Sequence, residues 1–451
     1  GEHRMNLKNK FRLKKEKRTE QKDEMTEEKK FSFKDAAGTM KSALLGIADR
    51  KKENFENKAE QNIQSDDMLD LSSRLRIHKN KVRIRTAVIL TVLLGAVVGC
   101  SVYYNVKVYR RYTIVSSEER TDDNATQYIF LKKGCTLKCN PNGVTCVNGK
   151  GNVQWNTTFT MQNPVIDVCG TTVAVADQRG NDVYIFNEKG LMGNFKVEYT
   201  LTKISVAKQG VVAAVLENGD ITWVNVYDSQ GNIIVKNKTT MGKAGYPLDM
   251  DLSSDGLKMV ISFIGIQNQV LDSEINFYDF SSVGKDKENN LVKEVEYEGK
   301  VVPQVQFLGG DYAVAFRDDG ASVFYGKHVP EEKKEIVTEK EIVSTFYDRD
   351  YFGIVTESDE EDGKHKYKME LYRESGSKCF QTYFDMDYSD IKLCGDEIFL
   401  YSSSELTIYT TTGKLKYSAG YEKQISDVIP AEGLGKYMII TPDSIDIIKI
   451  G

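Results

Sequence analysis

The sequence predicts an all-β protein: a β-propeller, eight blades favoured over seven, preceded by one transmembrane helix and a mostly disordered N-terminal region. Three observations predict it. Beyond about residue 110, short β-branched and aromatic runs alternate with Gly, Asn, Asp and Ser turns. These hairpins recur at the spacing of propeller blades. An uncharged stretch, Thr86–Tyr104, separates them from a basic leader.

The hairpins come first. Val173-Ala174-Val175-Ala176-Asp177 leads through Gln178-Arg179-Gly180-Asn181-Asp182 into Val183-Tyr184-Ile185-Phe186. Val211–Leu216 turns at Glu217-Asn218-Gly219-Asp220 into Ile221–Val224, and Ala313–Phe316 turns at Arg317-Asp318-Asp319-Gly320 into Ala321–Tyr325. Each is an apolar strand, a turn and a second strand. Units fall near 127–160, 164–201, 203–242, 247–298, 301–337, 341–385, 389–420 and 424–451. Leu252–Ser262 carries the Ser-Asp-Gly turn common between inner propeller strands. The last unit is short by about one strand. Tyr109–Ser117 can supply it and close the ring with both chain ends. A closed ring protects its strand edges, which keeps this much sheet dispersed. A β-sandwich pair gives similar strands but not the steady repeat.

The domain boundaries follow charge. Residues 1–85 carry 23 basic and 15 acidic residues, a net +8; the remainder carries 38 and 51, a net −13. Such a division places the two parts in different surroundings. Residues 1–34 are too charged to offset the entropy of ordering, so disorder is expected. Within 35–60, Met40, Leu44, Ile47 and Ala48 share one helical face, with Phe55 farther along. The stripe is short, which favours a marginal helix in solvent over one docked on the inner leaflet or a partner.

Thr86–Tyr104 is 19 residues long. As a helix it spans roughly 28 Å, close to a bilayer's hydrocarbon thickness. Tyr103 and Tyr104 sit where aromatic rings favour the interface. Arg74, Arg76, Lys79, Lys81, Arg83 and Arg85 precede it; Lys107, Arg110 and Arg111 follow. The heavier charge keeps the N-terminus cytoplasmic and exports residues 105–451. The chain is thus expected in the cell membrane, single-pass, with the bilayer as its first partner. Gly95 and Gly99 match the four-residue spacing of small residues that lets helices dimerise, so a homodimer is a further expectation. Val97–Ser101 also resembles a lipobox with Cys100 as the lipidated residue. The 85 residues before the stretch are far too long for a signal n-region unless translation begins at Met68.

Signals for chemistry are sparse. The histidines are His3, His78, His328 and His365, none close in sequence to another. There is no G-x-S-x-G, H-E-x-x-H, P-loop or dinucleotide fingerprint. No catalytic residue, cofactor or metal ligand is therefore assigned. Cys135, Cys139, Cys146, Cys169, Cys379 and Cys394 are even in number, as exported disulfides would require. Cys135 and Cys139 are four apart, about 13 Å along a strand, too far to bond directly. Cys139 and Cys146, across the Asn140–Gly143 turn, are the candidate pair; free buried thiols are the alternative. Glu357–Gly363 resembles a calcium loop loosely, but lacks its alternating order and distal Glu, so it reads as a hairpin tip. Glu331–Glu341 reads as an exposed inter-blade loop. Trp155 and Trp223 read as packing between blades rather than a binding face. The acidic body disfavours nucleic acid.

Several runs carry a family resemblance. They are Met161–Gly170, Val173–Gln178, Tyr184–Asn187, Gln209–Ala213 and Gly245-Tyr246-Pro247-Leu248-Asp249. Over roughly 105–450 the chain resembles Gram-positive bacterial membrane proteins of domain-of-unknown-function family 5711. The resemblance implies a propeller-like ectodomain behind one membrane helix and brings no catalytic residues. The expected function is a non-enzymatic binding or scaffolding module of the cell envelope, its ligand an envelope protein, peptide or glycan. The alternatives are a wall-polymer hydrolase using channel carboxylates, or a transmembrane sensor.

Overall fold

Period-two alternation in the body resolves into eight four-stranded antiparallel sheets. The computed structural model describes residues 80–96, 107–122, 125–131, 134–149, 151–219, 221–240, 245–267, 270–359 and 363–451. The chain divides into two compact units, Gly1–Ser101 and Val102–Gly451.

Seven blades each use four consecutive strands and span 127–158, 164–196, 200–240, 246–297, 304–337, 342–384 and 390–420. The eighth combines Asp427–Pro430, Lys436–Ile440 and Ser444–Ile450 with an outermost strand from the other end of the body, Tyr112–Glu119. Tyr112 pairs with Ile450 and Glu119 with Ser444. The closing strand expected at Tyr109–Ser117 is therefore present, shifted by a few residues. Tyr109 itself bridges to Tyr417 of blade 7. The count is eight.

Apolar faces of successive blades pack on each other. Ala174, Ala176, Val183 and Ile185 of blade 2 meet Leu201, Val212, Ala214 and Leu216 of blade 3. Phe399, Leu406 and Ile408 of blade 7 meet Val428, Ile439 and Ile448 of blade 8. Removing both faces of each inner strand from water is the main favourable term of such a ring. Trp155 stacks on Phe186 with ring centroids 5.6 Å apart, and Trp223 on Tyr199 at 6.0 Å, both half-buried between blades.

Two readings need correction. Glu331–Val337, expected as a loop, is the outermost strand of blade 5. Its alternating charges are what an exposed edge strand carries to discourage pairing with other chains; Ile336 alone turns inward. Cys146 is bonded to Cys135 rather than to Cys139. Leu137 lies directly opposite Cys146, so Cys135 and Cys139 flank that pair on the same face of their strand. Strand twist makes the two diagonals unequal, and sequence spacing does not say which is shorter. Cys139 remains a buried thiol, its pKa pushed up to about 12 by burial. We expect Cys146→Ser to cost about 3 kcal/mol in urea titrations under oxidising conditions, from the closed loop it opens. Dithiothreitol should erase most of that difference. A non-reducing peptide map joining Cys139 to Cys146 would disprove the pairing.

In the N-terminal unit the described residues form a helix over 80–96. Thr86 and Thr91 bond their hydroxyls back to the carbonyls of Val82 and Ala87, at 2.9 Å each. Val88, Ile89, Leu90 and Leu94 are exposed. Among the described residues, no helix is long and apolar enough to cross a membrane. Residues 97–104 of the expected span, with Gly99 and Cys100, lie outside the described residues, as do residues 1–79 and the helix expected within 35–60. Gly95 is described, and nothing lies within 4 Å of where its Cβ would be.

Candidate functional site

In blades 1 to 7 the first strand is the innermost, in blade 8 it is Asp427–Pro430, and several of these inner strands carry one or two acids among apolar residues. Asp167 lies on Pro164–Cys169, and Asp249 and Asp251 on Tyr246–Leu252. Each reaches the next inner strand. Asp167 accepts the Val206 amide at 2.6 Å. Asp249 accepts the Val305 amide at 3.0 Å, and the Lys203 ammonium lies 3.4 Å away. Asp251 accepts the Phe307 amide at 2.7 Å, the Gln306 side chain at 2.6 Å and the Ser205 hydroxyl at 2.8 Å. Ser205 in turn accepts the Leu252 amide at 3.0 Å. Thr345 donates to Gln304 at 2.8 Å, extending the belt to blade 6. Inner strands have no ladder partner on their channel side, so their free N–H groups need such acceptors.

Burial raises all three carboxyls above the usual 3.8. For Asp251, only 7% exposed, burial is followed by repulsion from Asp167, and the shift is large. Hydrogen bonds to the ionised forms oppose the shift without cancelling it. Tyr347 is held protonated by burial first and by the three carboxylates second. Asp167 and Asp249 keep accessible surface although protein surrounds them, as side chains lining a narrow channel do. Raised carboxyls suit general acid–base work, but here the acceptor oxygens are engaged by main chain and neighbours.

Among the described residues, His328 and His365 form no nucleophile–base device. His328 places Nδ1 2.8 Å from Asp279, and the Ser281 hydroxyl lies 3.4 Å from the same nitrogen. A relay needs the hydroxyl and the carboxylate on opposite ring nitrogens. Burial alone would raise Asp279, but hydrogen bonds from Ser281 and His328 outweigh it and hold it low. His365 pairs with Asp385 at 3.0 Å and stacks on Tyr383. It borders a cleft of about 350 Å³ with Val343, Glu357, Ser358, Gly363, Lys366 and Tyr367. Asp359, in the loosely calcium-like stretch, is held instead by Lys368 at 2.6 Å and Tyr383 at 2.8 Å. Residues 360–362 of that stretch lie outside the described residues. Among the described residues no group of three or more His, Cys, Asp or Glu is placed to hold a metal ion.

The sequence reading did not single out the channel acids. Their signal is an acid inside an otherwise apolar inner strand, repeated as Pro164-Val165-Ile166-Asp167 and Pro247-Leu248-Asp249.

A model of a family of unknown function, DUF5711, matches residues 105–450. The chain belongs to that family. Its matched region begins just before the closing strand and ends within the last one. No curated protein matches significantly. Among solved structures, BamB from Moraxella catarrhalis is similar at 11% identity and a TM-score of 0.44, over 75% of this chain and 98% of that one. Hsv2p from Kluyveromyces lactis is similar at 12% and 0.42, over 67% and 99%. The Pan2 WD40 domain of Neurospora crassa is similar at 9% and 0.40, over 76% and 97%. The propeller assignment rests on the eight sheets of this chain, not on these likenesses.

Proposed function

We propose that this protein is a membrane-anchored, extracytoplasmic binding module of the cell envelope, with the propeller as the part that holds a partner. The observation that carries the reading is the closed ring itself. Its channel acids are engaged in joining blades, while hairpins and outer strands project contact surfaces. Among the described residues Lys258–Gln267 and Val270–Asp279 are the longest strands, and they extend past their sheet neighbours, carrying Ile266 at 74% exposure and Leu271 at 49%. Such exposed apolar side chains at a hairpin end are available to a partner. Anchoring rests on the uncharged Thr86–Tyr104 run and the basic residues before it.

Crosslinking the full-length chain on intact cells and recovering bound proteins tests the reading. An envelope protein crosslinked to the propeller is the expected result, and recovery of none would count against it. Protease shaving of the same cells should digest residues 105–451 and spare the leader; the reverse pattern would overturn the topology. A hydrolase is the second reading, favoured only by the raised carboxyls of Asp167, Asp249 and Asp251. It requires wall-polymer cleavage that Asp251→Asn abolishes.

A further inference from the structure

Blade 4 holds an arrangement that folding alone does not favour. Glu274, on Val270–Asp279, lies directly opposite Glu296 on the outermost strand, Leu291–Tyr297. Glu294 lies opposite Asn276, one same-face step along. Opposed residues share a face, so three carboxylates and one amide form a single stripe. Like charges facing each other across a sheet destabilise it. Among the described residues no Lys or Arg pairs with any of the three. The nearby Lys293 is committed elsewhere, 3.2 Å from Glu331.

A second observation points the same way. Asn276 is 3% exposed. Its amide nitrogen donates to Glu274 at 2.5 Å, whereas its carbonyl oxygen is buried with no partner. A buried acceptor left unpaired costs stability unless something supplies a donor. The stripe thus lacks positive charge, and the Asn276 oxygen lacks a donor. Burial, with repulsion from Glu294 and Glu296 behind it, raises the Glu274 carboxyl above the usual 4.5.

We propose that this blade 4 stripe is a docking site for an arginine side chain displayed by a partner polypeptide. A guanidinium offers five donors in a planar fork, enough for two carboxylates and the Asn276 oxygen together. An ammonium offers three donors from a single point. The neighbouring apolar tip, with Val270 at 47% exposure on the same strand as Glu274, gives such a partner an apolar contact beside its charge. This inference rests on the binding-module reading and names the chemistry of the partner.

The test uses the full-length chain in detergent micelles and a fluorescent tetra-arginine peptide, followed by anisotropy. The wild-type chain should bind tetra-arginine more tightly than tetra-lysine. Glu274→Gln/Glu296→Gln should weaken tetra-arginine binding about tenfold or more. Glu339→Gln/Glu341→Gln, an equal loss of charge at exposed positions after blade 5, should leave it unchanged. The blade 4 variant should also melt at a higher temperature than wild type, because the opposed charges are gone. Higher melting with weaker binding separates a binding role from a structural one. Equal binding by both variants would overturn the proposal. So would displacement of the peptide by one equivalent of calcium, which would make the stripe a cation site instead. If intact-cell crosslinking captures an envelope protein and the blade 4 variant captures it equally, the stripe is refuted while the binding-module reading stands. If crosslinking captures nothing, that reading fails whatever the peptide does.

Discussion

Asp446→Ala is expected to destabilise the full-length chain by about 3 kcal/mol in urea titrations at neutral pH. Asp446 is fully buried on Ser444–Ile450, the strand that receives the N-terminal strand of the ring. Its carboxylate accepts the Ser117 hydroxyl at 2.5 Å, the Tyr421 hydroxyl at 2.5 Å and the Lys423 ammonium at 2.7 Å. Ser117 belongs to the closing strand; Tyr421 and Lys423 belong to the connection entering blade 8. One carboxylate therefore ties three segments at the seam. Alanine leaves those donors unanswered, although Lys423, with its side chain 42% exposed, can turn to water and limit the loss. Burial alone would raise the Asp446 carboxyl, but hydrogen bonds from Lys423, Ser117 and Tyr421 outweigh it and hold it below the usual 3.8. The folded state then binds this proton less tightly than the unfolded chain. Its stabilisation is present above the ordinary carboxyl pKa and is lost as pH falls through the folded value. The gap between wild type and variant should close in acid. A loss under about 1 kcal/mol at neutral pH would show that the seam does not depend on this residue.

The channel belt should respond in the opposite sense. Asp251→Ala should cost about 3 kcal/mol, because it strands the Phe307 amide, the Gln306 side chain and the Ser205 hydroxyl. Asp251→Asn should instead melt above wild type at neutral pH. An amide oxygen can still accept from Phe307 and Gln306 while its nitrogen donates to Ser205. The substitution also removes a buried charge facing Asp167. The Asp251 carboxyl lies well above 3.8, so the folded state holds its proton more tightly than the unfolded chain. Wild-type stability from this group is full below 3.8 and declines as pH rises toward the folded value; Asn has no such slope. The advantage of the variant should therefore shrink on acidification, as melting curves across pH would reveal. If Asn were as damaging as Ala at neutral pH, the wild-type carboxylate would have to be ionised and stabilising.

The ring was legible because its inner hairpins obey a local rule. Val173–Ala176 and Val183–Phe186 are apolar on both faces and are joined by turn residues, so strand and boundary are both visible. Glu331–Val337 follows no such rule: an edge strand covered on one face at most needs little apolar alternation. The closing strand could be placed because the last unit was one strand short, a matter of counting rather than pattern. What depended on register was hidden. Whether Cys146 meets Cys135 or Cys139, and that Glu274 faces Glu296, follow only once Leu137 and Asn276 have known partners across their ladders. The channel acids were hidden differently. An Asp inside an apolar strand such as Tyr246–Leu252 signals a covered acid, but not that its partners are amides of the neighbouring blade.

The pairing of Tyr112–Glu119 with Ser444–Ile450 has a consequence in time. The earliest strand of the ring to leave the ribosome must wait for the latest. At ~5–20 residues per second the delay is on the order of half a minute, long beside the microseconds in which a hairpin forms. Throughout it, the backbone N–H and C=O groups of Tyr112–Glu119 have no ladder partner. A product terminated before residue 444 never acquires the mate for that strand, so an incomplete copy advertises its own incompleteness to proteases and chaperones.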